Sequence, residues 1–88
     1  MDRMASMAVF NKVVGTGSFS AAARELKLSQ ASVTKQIKEL ESWLGARLLN
    51  RTTRRLNLTE IGKGFHERAI IDAPKFLARL EGKARRGS

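Results

Sequence analysis

The amino-acid sequence predicts a mainly α-helical fold of three helices and a two-stranded hairpin, followed by a long last helix. Three observations carry this expectation. Apolar residues recur three or four apart from Met4 to Leu44, and again from Ile61 to Leu80, as they do in helices with one buried face. Turn residues divide the first run at Gly15-Thr16-Gly17-Ser18 and at Lys27-Leu28-Ser29. Between the two runs, Leu56 and Leu58 alternate with polar neighbours beyond Thr52-Thr53-Arg54, which reads as strand and turn.

The first helix is set by Met4, Met7, Phe10, Val13 and Val14, and the glycines at 15 and 17 supply the conformations that end it. The second is short, about two turns. Its stripe is Phe19, Ala22, Ala23 and Leu26, Ser18 or Ser20 can cap it, and the alanines from Ala21 to Ala23 let another helix come close. Ser29 suits the N-cap of a third helix starting near Gln30, with Leu28 and Val33 at the two positions of a hydrophobic staple. Val33, Ile37, Leu40 and Leu44 form its core face, and Ala31, Thr34, Lys35 and Lys38 lie nearly opposite. Gly45 closes it, and Trp43 is expected to pack at the edge of the core.

The hairpin comes next, with Leu48-Leu49-Asn50-Arg51 and Arg55-Leu56-Asn57-Leu58 as its arms. Thr59 caps the last helix, Glu60 suits its positive end, and Ile61, Phe65, Ala69, Ile70, Ala73, Phe76, Leu77 and Leu80 carry its apolar stripe. Pro74 interrupts that stripe, so either a kink or a fresh helix capped near Asp72 or Ala73 is expected. The expected division is a domain over 1–58, a linker helix over 59–83 and a flexible tail over 84–88.

With 88 residues there is room for one core. Seventeen Lys and Arg against eight Asp and Glu give a formal charge of +9, which points to a polyanionic partner. There is no Cys, no apolar run long enough to span a bilayer and no signal-peptide pattern at the N-terminus, so a soluble cytoplasmic protein is expected. Catalysis is rejected. His66 is the sole histidine and reads as a surface or packing residue, the eight acids do not cluster, and no phosphate-cradling glycine loop is present. Neither a metal nor a cofactor is expected.

Binding to DNA is favoured. Small and polar groups at Ala31, Thr34, Lys35 and Lys38 suit a major groove about 12 Å wide. The hairpin tip, Arg51 to Arg55, can reach phosphates or place an arginine in the minor groove. From Ser29 to Arg55 there are six cations (Lys35, Lys38, Arg47, Arg51, Arg54 and Arg55) against Glu39 and Glu41. The alternative is a winged-helix protein-interaction module, or a basic protein that binds a membrane surface.

From Met7 to about Phe65 the chain resembles the N-terminal winged helix-turn-helix domain of the LysR-type transcriptional regulators. The resemblance is carried by Phe10 and Val13-Val14, GSFSAAARELKLSQASVTKQIKELE from Gly17 and LGARLLNRTTRRLNLTEIG from Leu44. It implies a dimeric, sequence-specific regulator with a recognition helix over 30–44 and a wing over 51–55. Base contacts then fall on Gln30, Ala31, Thr34 and Lys35, phosphate contacts on Ser18, Ser20, Gln36, Lys38, Arg51 and Thr53, and the minor-groove contact on Arg54. The resemblance also implies a homodimer joined through the last helix, whose seam is assigned to Phe65, Ala69, Ala73, Phe76, Leu77 and Leu80. The site it implies is an interrupted, near-palindromic, A·T-rich stretch of double-stranded DNA. Three departures stand out. Lys35 occupies a position where arginine is common, Pro74 falls where relatives keep an unbroken helix, and the usual effector-binding domain is absent from this chain, as in a fragment cut at the linker or a stand-alone reader.

Overall fold

The computed structural model describes residues 2–51 and 56–87, with the side chains of Arg51 and of 83–87 left aside. The elements run α1 (Arg3–Thr16), α2 (Phe19–Leu26), α3 (Gln30–Leu44), β1 (Leu49–Arg51), β2 (Leu56–Leu58) and α4 (Glu60–Gly87).

Helix boundaries follow local chemistry. Asp2, Ser18 and Ser29 each sit in extended backbone and accept from amides of the following turn, at 3.0 Å for Met4, 3.3 Å for Ala21 and 3.0 Å for Ser32. Gly17 (φ 74°) and Gly45 (φ 69°) end α1 and α3 in the left-handed region, where a side chain is unwelcome. Lys27 ends α2 in that same region, at φ 57°, without glycine's freedom. The turn is held there because the Leu28 amide donates to the Ala23 carbonyl at 2.9 Å.

The core gathers one face of every helix. Met7, Phe10 and Val13 from α1 meet Ala22 and Ala23 from α2, and Val33, Ile37 and Leu40 from α3. Leu48 and Leu49 from the root of the hairpin complete it with Phe65, Ala69 and Leu77 from α4. The Phe10 and Phe65 rings stand edge to face with centroids 5.5 Å apart, and burying a side chain of this size contributes about 1.5–3 kcal/mol. Met4, Ile61 and Ile70, which the apolar spacing would place inside, remain 41%, 58% and 62% exposed. β1 and β2 pair antiparallel in the register Leu49↔Leu58, Asn50↔Asn57 and Arg51↔Leu56.

Asp72 leaves the helical region (φ −158°, ψ 83°) and divides α4 in two. Its Oδ1 accepts from the Lys75 amide at 3.4 Å, so a fresh helix starts after Asp72, as one of the two sequence alternatives has it. Pro74 then lies in a first turn, where its missing N–H leaves no gap in the ladder. The second segment folds back until Phe76 meets Phe65 at a centroid distance of 5.0 Å. A straight helix of this length would span about 42 Å, whereas the longest dimension of the whole chain is 37 Å.

Candidate nucleic-acid interface

The outer face of α3 is an open groove lined by Gln30, Ala31, Thr34, Lys35, Lys38, Glu39 and Ser42. The four residues assigned to base contact therefore share one surface. Gln30, Ala31 and Lys35 are exposed and Thr34 is half-buried, while Val33, Ile37 and Leu40 hold the opposite side of the helix in the core. This polar stripe projects outward because a helix turns about 100° per residue, so the positions fixed by packing determine those that face away. Lys38 continues the stripe toward the C-terminal end, and Gln36 is half-buried at its flank.

The other assigned contacts are placed as follows. Ser20 is exposed at the start of α2, and its hydroxyl lies 3.1 Å from that of Ser18. The Ser18 Oγ also accepts from the Ala21 amide, so it caps α2 first, and any phosphate must share it. Arg51 closes β1. Thr53 and Arg54 lie outside the described residues, as do Thr52 and Arg55.

The single chain takes up the residues assigned to the α4 seam in its own packing. Phe65, Ala69 and Leu77 are 5%, 4% and 9% exposed in the single chain, so its own core has taken up the surface they would offer a partner. Ala73, Phe76 and Leu80 are half-buried against that core. The folded-back second segment is the physical cause, since it covers the face of the first that a straight helix would leave open. Among the described residues, the large apolar side chains that α4 exposes are Ile61, Ile70 and Ile71, the last 82% exposed. Ile71 borders a second groove with Arg68, Asp72, Lys75, Phe76 and Arg79.

Sequence reasoning missed how the parts are joined. The Glu41 carboxylate, on α3, accepts through Oε2 from the Leu48 amide at 2.8 Å and the Leu49 amide at 3.3 Å, at the root of the hairpin. On the other side of that root, Thr59 Oγ1 donates to the Arg47 carbonyl at 2.6 Å and accepts from the Gly62 amide at 2.9 Å. The Thr59 amide donates to the Leu48 carbonyl at 3.1 Å. The Thr59 cap was legible in the sequence, but its partners eleven and twelve residues back, Leu48 and Arg47, were not. Two further ties brace the bundle. The Arg3 guanidinium stacks 4.3 Å from the Trp43 ring, which is half-buried as expected, and His66 Nδ1 lies 2.9 Å from Asn11 Oδ1 across α1 and α4. His66 is thus a helix-packing residue. Among the described residues no group of acids and histidine is placed to hold a metal ion, and no helix is long and apolar enough to cross a membrane.

A three-helix bundle whose third helix presents a polar, basic face, with a hairpin clamped beside it, is a winged helix-turn-helix. Residues 4–63 match the model of the bacterial regulatory helix-turn-helix proteins of the lysR family, and the chain belongs to that family as its winged helix-turn-helix DNA-binding domain. It is 48% identical over 71 residues to an HTH-type transcriptional repressor of Pseudomonas aeruginosa (strain UCBPP-PA14), a match covering 81% of this chain and 22% of that protein. It is 46% identical over 67 residues to the HTH-type transcriptional activator AaeR of Escherichia coli (strain K12), covering 76% of this chain and 22% of that one. The chain thus spans about a fifth of the length of these relatives, which are transcriptional regulators. Among solved structures it is similar to the DNA-binding domain of BenM in complex with catB site 1 DNA, with a TM-score of 0.77 and 31% identity over 100% of this chain and 98% of that one. The CbnR DNA-binding domain in its DNA complex gives a TM-score of 0.77 and 32% identity over 99% and 98%.

Proposed function

We propose that this domain recognises a specific double-stranded DNA sequence as a homodimer, for a cytoplasmic bacterial transcription regulator. The observation that carries the reading is the clustering of Gln30, Ala31, Thr34 and Lys35 on the one face of α3 that the core leaves outward. Lys35 can donate to guanine, Gln30 can pair with adenine, and Ala31 and the Thr34 methyl can meet thymine methyls. Ser20, Gln36, Lys38 and Arg51, with the shared hydroxyl of Ser18 and with Thr53, hold phosphates, and Arg54 enters the minor groove. Phosphate contacts set register and base contacts carry sequence information.

Two copies meet through α4. The surface open to a partner is the side marked by Ile61 and Ile71, next to the groove of Arg68, Lys75, Phe76 and Arg79, rather than the buried line through Phe65, Ala69 and Leu77. A two-fold axis there sets two recognition helices about one DNA turn apart on an interrupted near-palindrome, expected to be A·T-rich. The relatives include a repressor and an activator, and the DNA-contacting domain is compatible with either sign of regulation.

Selection of bound sites from random DNA at physiological salt tests the reading. Enrichment of paired half-sites about ten base pairs apart is expected. Recovery without enrichment would instead favour a surface that binds polyanions or acidic proteins through charge alone.

A further inference from the structure

We infer that Glu41 is a positioning residue that sets the wing against the recognition helix, a role resting on the two-groove reading above. Its place on α3 is one turn beyond Lys38, on the flank between the DNA-facing stripe and the hairpin root. A carboxylate on such a surface would repel phosphates if it were free. Here its Oε2 accepts from two consecutive backbone amides, at 2.8 Å and 3.3 Å, and hydrogen bonds from amides to an ionised acceptor are about twice as strong as neutral ones.

Those amides need a partner. Leu48 is fully buried and Leu49 nearly so, and a buried N–H left unpaired is costly. Leu48 precedes the strand ladder, whose pairing begins at Leu49↔Leu58, so β2 opposes no residue there. The same short stretch is gripped from behind by α4, through Thr59 to the Arg47 and Leu48 carbonyls. The peptide units from Arg47 to Leu49 are therefore held between the helix that reads bases and the helix assigned to the dimer. With Glu41 in place the hairpin root has one direction of departure from α3, set by a side chain that itself contacts only the root. Arg47 and Leu49 border a small cleft beside Glu41, so the carboxylate lies directly against the hairpin root.

The test compares Glu41→Ala and Glu41→Gln with the unaltered chain, using amide hydrogen exchange without DNA and hydroxyl-radical footprinting on a selected site. Gln keeps an acceptor oxygen at the same reach, so it is expected to retain slow exchange at Leu48 and Leu49 and an unchanged footprint. Ala is expected to speed exchange at those two amides by ~10-fold or more, with the α1 amides unchanged, since each loses its charge-assisted bond. On DNA, Ala is expected to lose the protection flanking the half-site and to lower the salt slope by about two contacts, while the preference for selected over random half-site bases stays within ~2-fold.

Three results would overturn the inference. They are unchanged exchange at Leu48 and Leu49 in the Ala variant, a parallel loss of α1 protection that marks general unfolding, and loss of base preference together with flanking protection. A Gln variant that behaves like Ala would overturn the claim that an acceptor suffices. An unaltered chain that leaves no flanking footprint, while its Leu48 and Leu49 amides respond as expected, would refute the two-groove reading and leave the hairpin clamp standing.

Discussion

Gly62 is the residue whose substitution most sharply separates local from tertiary logic. It lies inside α4, where helix preference alone says that alanine would be better by about 1 kcal/mol. A Cβ built there, however, runs head-on into the Leu48 carbonyl oxygen and comes within 3.0 Å of the Leu48 carbonyl carbon and 3.2 Å of its Cα, all backbone atoms. Backbone cannot swing aside as a flexible side chain does. Either α4 lifts from the hairpin root or Leu48 moves, and both stretch the 3.1 Å bond from the Thr59 amide to the Leu48 carbonyl. Overpacking costs about 1–3 kcal/mol and the weakened bond about 1 more, against the gain of about 1 from helix preference, so Gly62→Ala should destabilise by about 1–3 kcal/mol. For a domain of this size that is a fall in Tm of roughly 5–20 °C. Gly82, also in α4, has open space around its would-be Cβ, so Gly82→Ala should raise Tm or leave it unchanged. Calorimetry on the two variants decides the matter. If Gly62→Ala melted at or above the unaltered chain, the close approach of α4 to the hairpin root would be refuted, and with it the joining of linker helix to wing.

Other outcomes follow from the same packing. Ser6 is fully buried, and its Oγ has no hydrogen-bond partner among the described residues, so Ser6→Ala should stabilise by about 1 kcal/mol; a fall in Tm on denaturation would show that the hydroxyl is satisfied after all. Ile71 is 82% exposed in the single chain, so Ile71→Asp should leave the Tm of the monomer nearly unchanged yet shift sedimentation toward monomer by burying an unpaired charge in the proposed seam. An unchanged dimer would move the interface off that side of α4.

Much of the fold was legible in the sequence because its determinants are local. Ser18, Ser29 and Gly45 announce helix ends through chemistry within one turn of themselves, and the core face of Val33, Ile37 and Leu40 implies the outward stripe by helical geometry alone. What was not legible depends on contacts distant in the chain. Glu41 reads as a solvated charge until Leu48 and Leu49 are brought against it, and Gly62 reads as a poor helix residue until Leu48 lies beneath it. Lys27 gives no sign of a left-handed conformation, which is imposed by the turn between α2 and α3. The role of the apolar stripe on α4 was not legible for a related reason. Periodicity shows that Phe65, Ala69 and Leu77 share an apolar character, but not whether a partner or the same chain covers them. Pro74 was the available signal, since a helix that restarts at Asp72 can fold back, and a folded-back segment needs an apolar face to lie on.

The most direct test of the central claim, that the outward face of α3 chooses the sequence, is the ratio of affinities for a selected site and for random DNA in Lys35→Ala and Lys38→Ala. Lys35→Ala is expected to lower that ratio by roughly 10- to 100-fold, the worth of one good base contact. Lys38→Ala should weaken binding to every sequence alike, hold the ratio constant and reduce the salt slope by about one contact. A ratio unchanged in Lys35→Ala, or lost equally in both variants, would contradict the division of labour along α3.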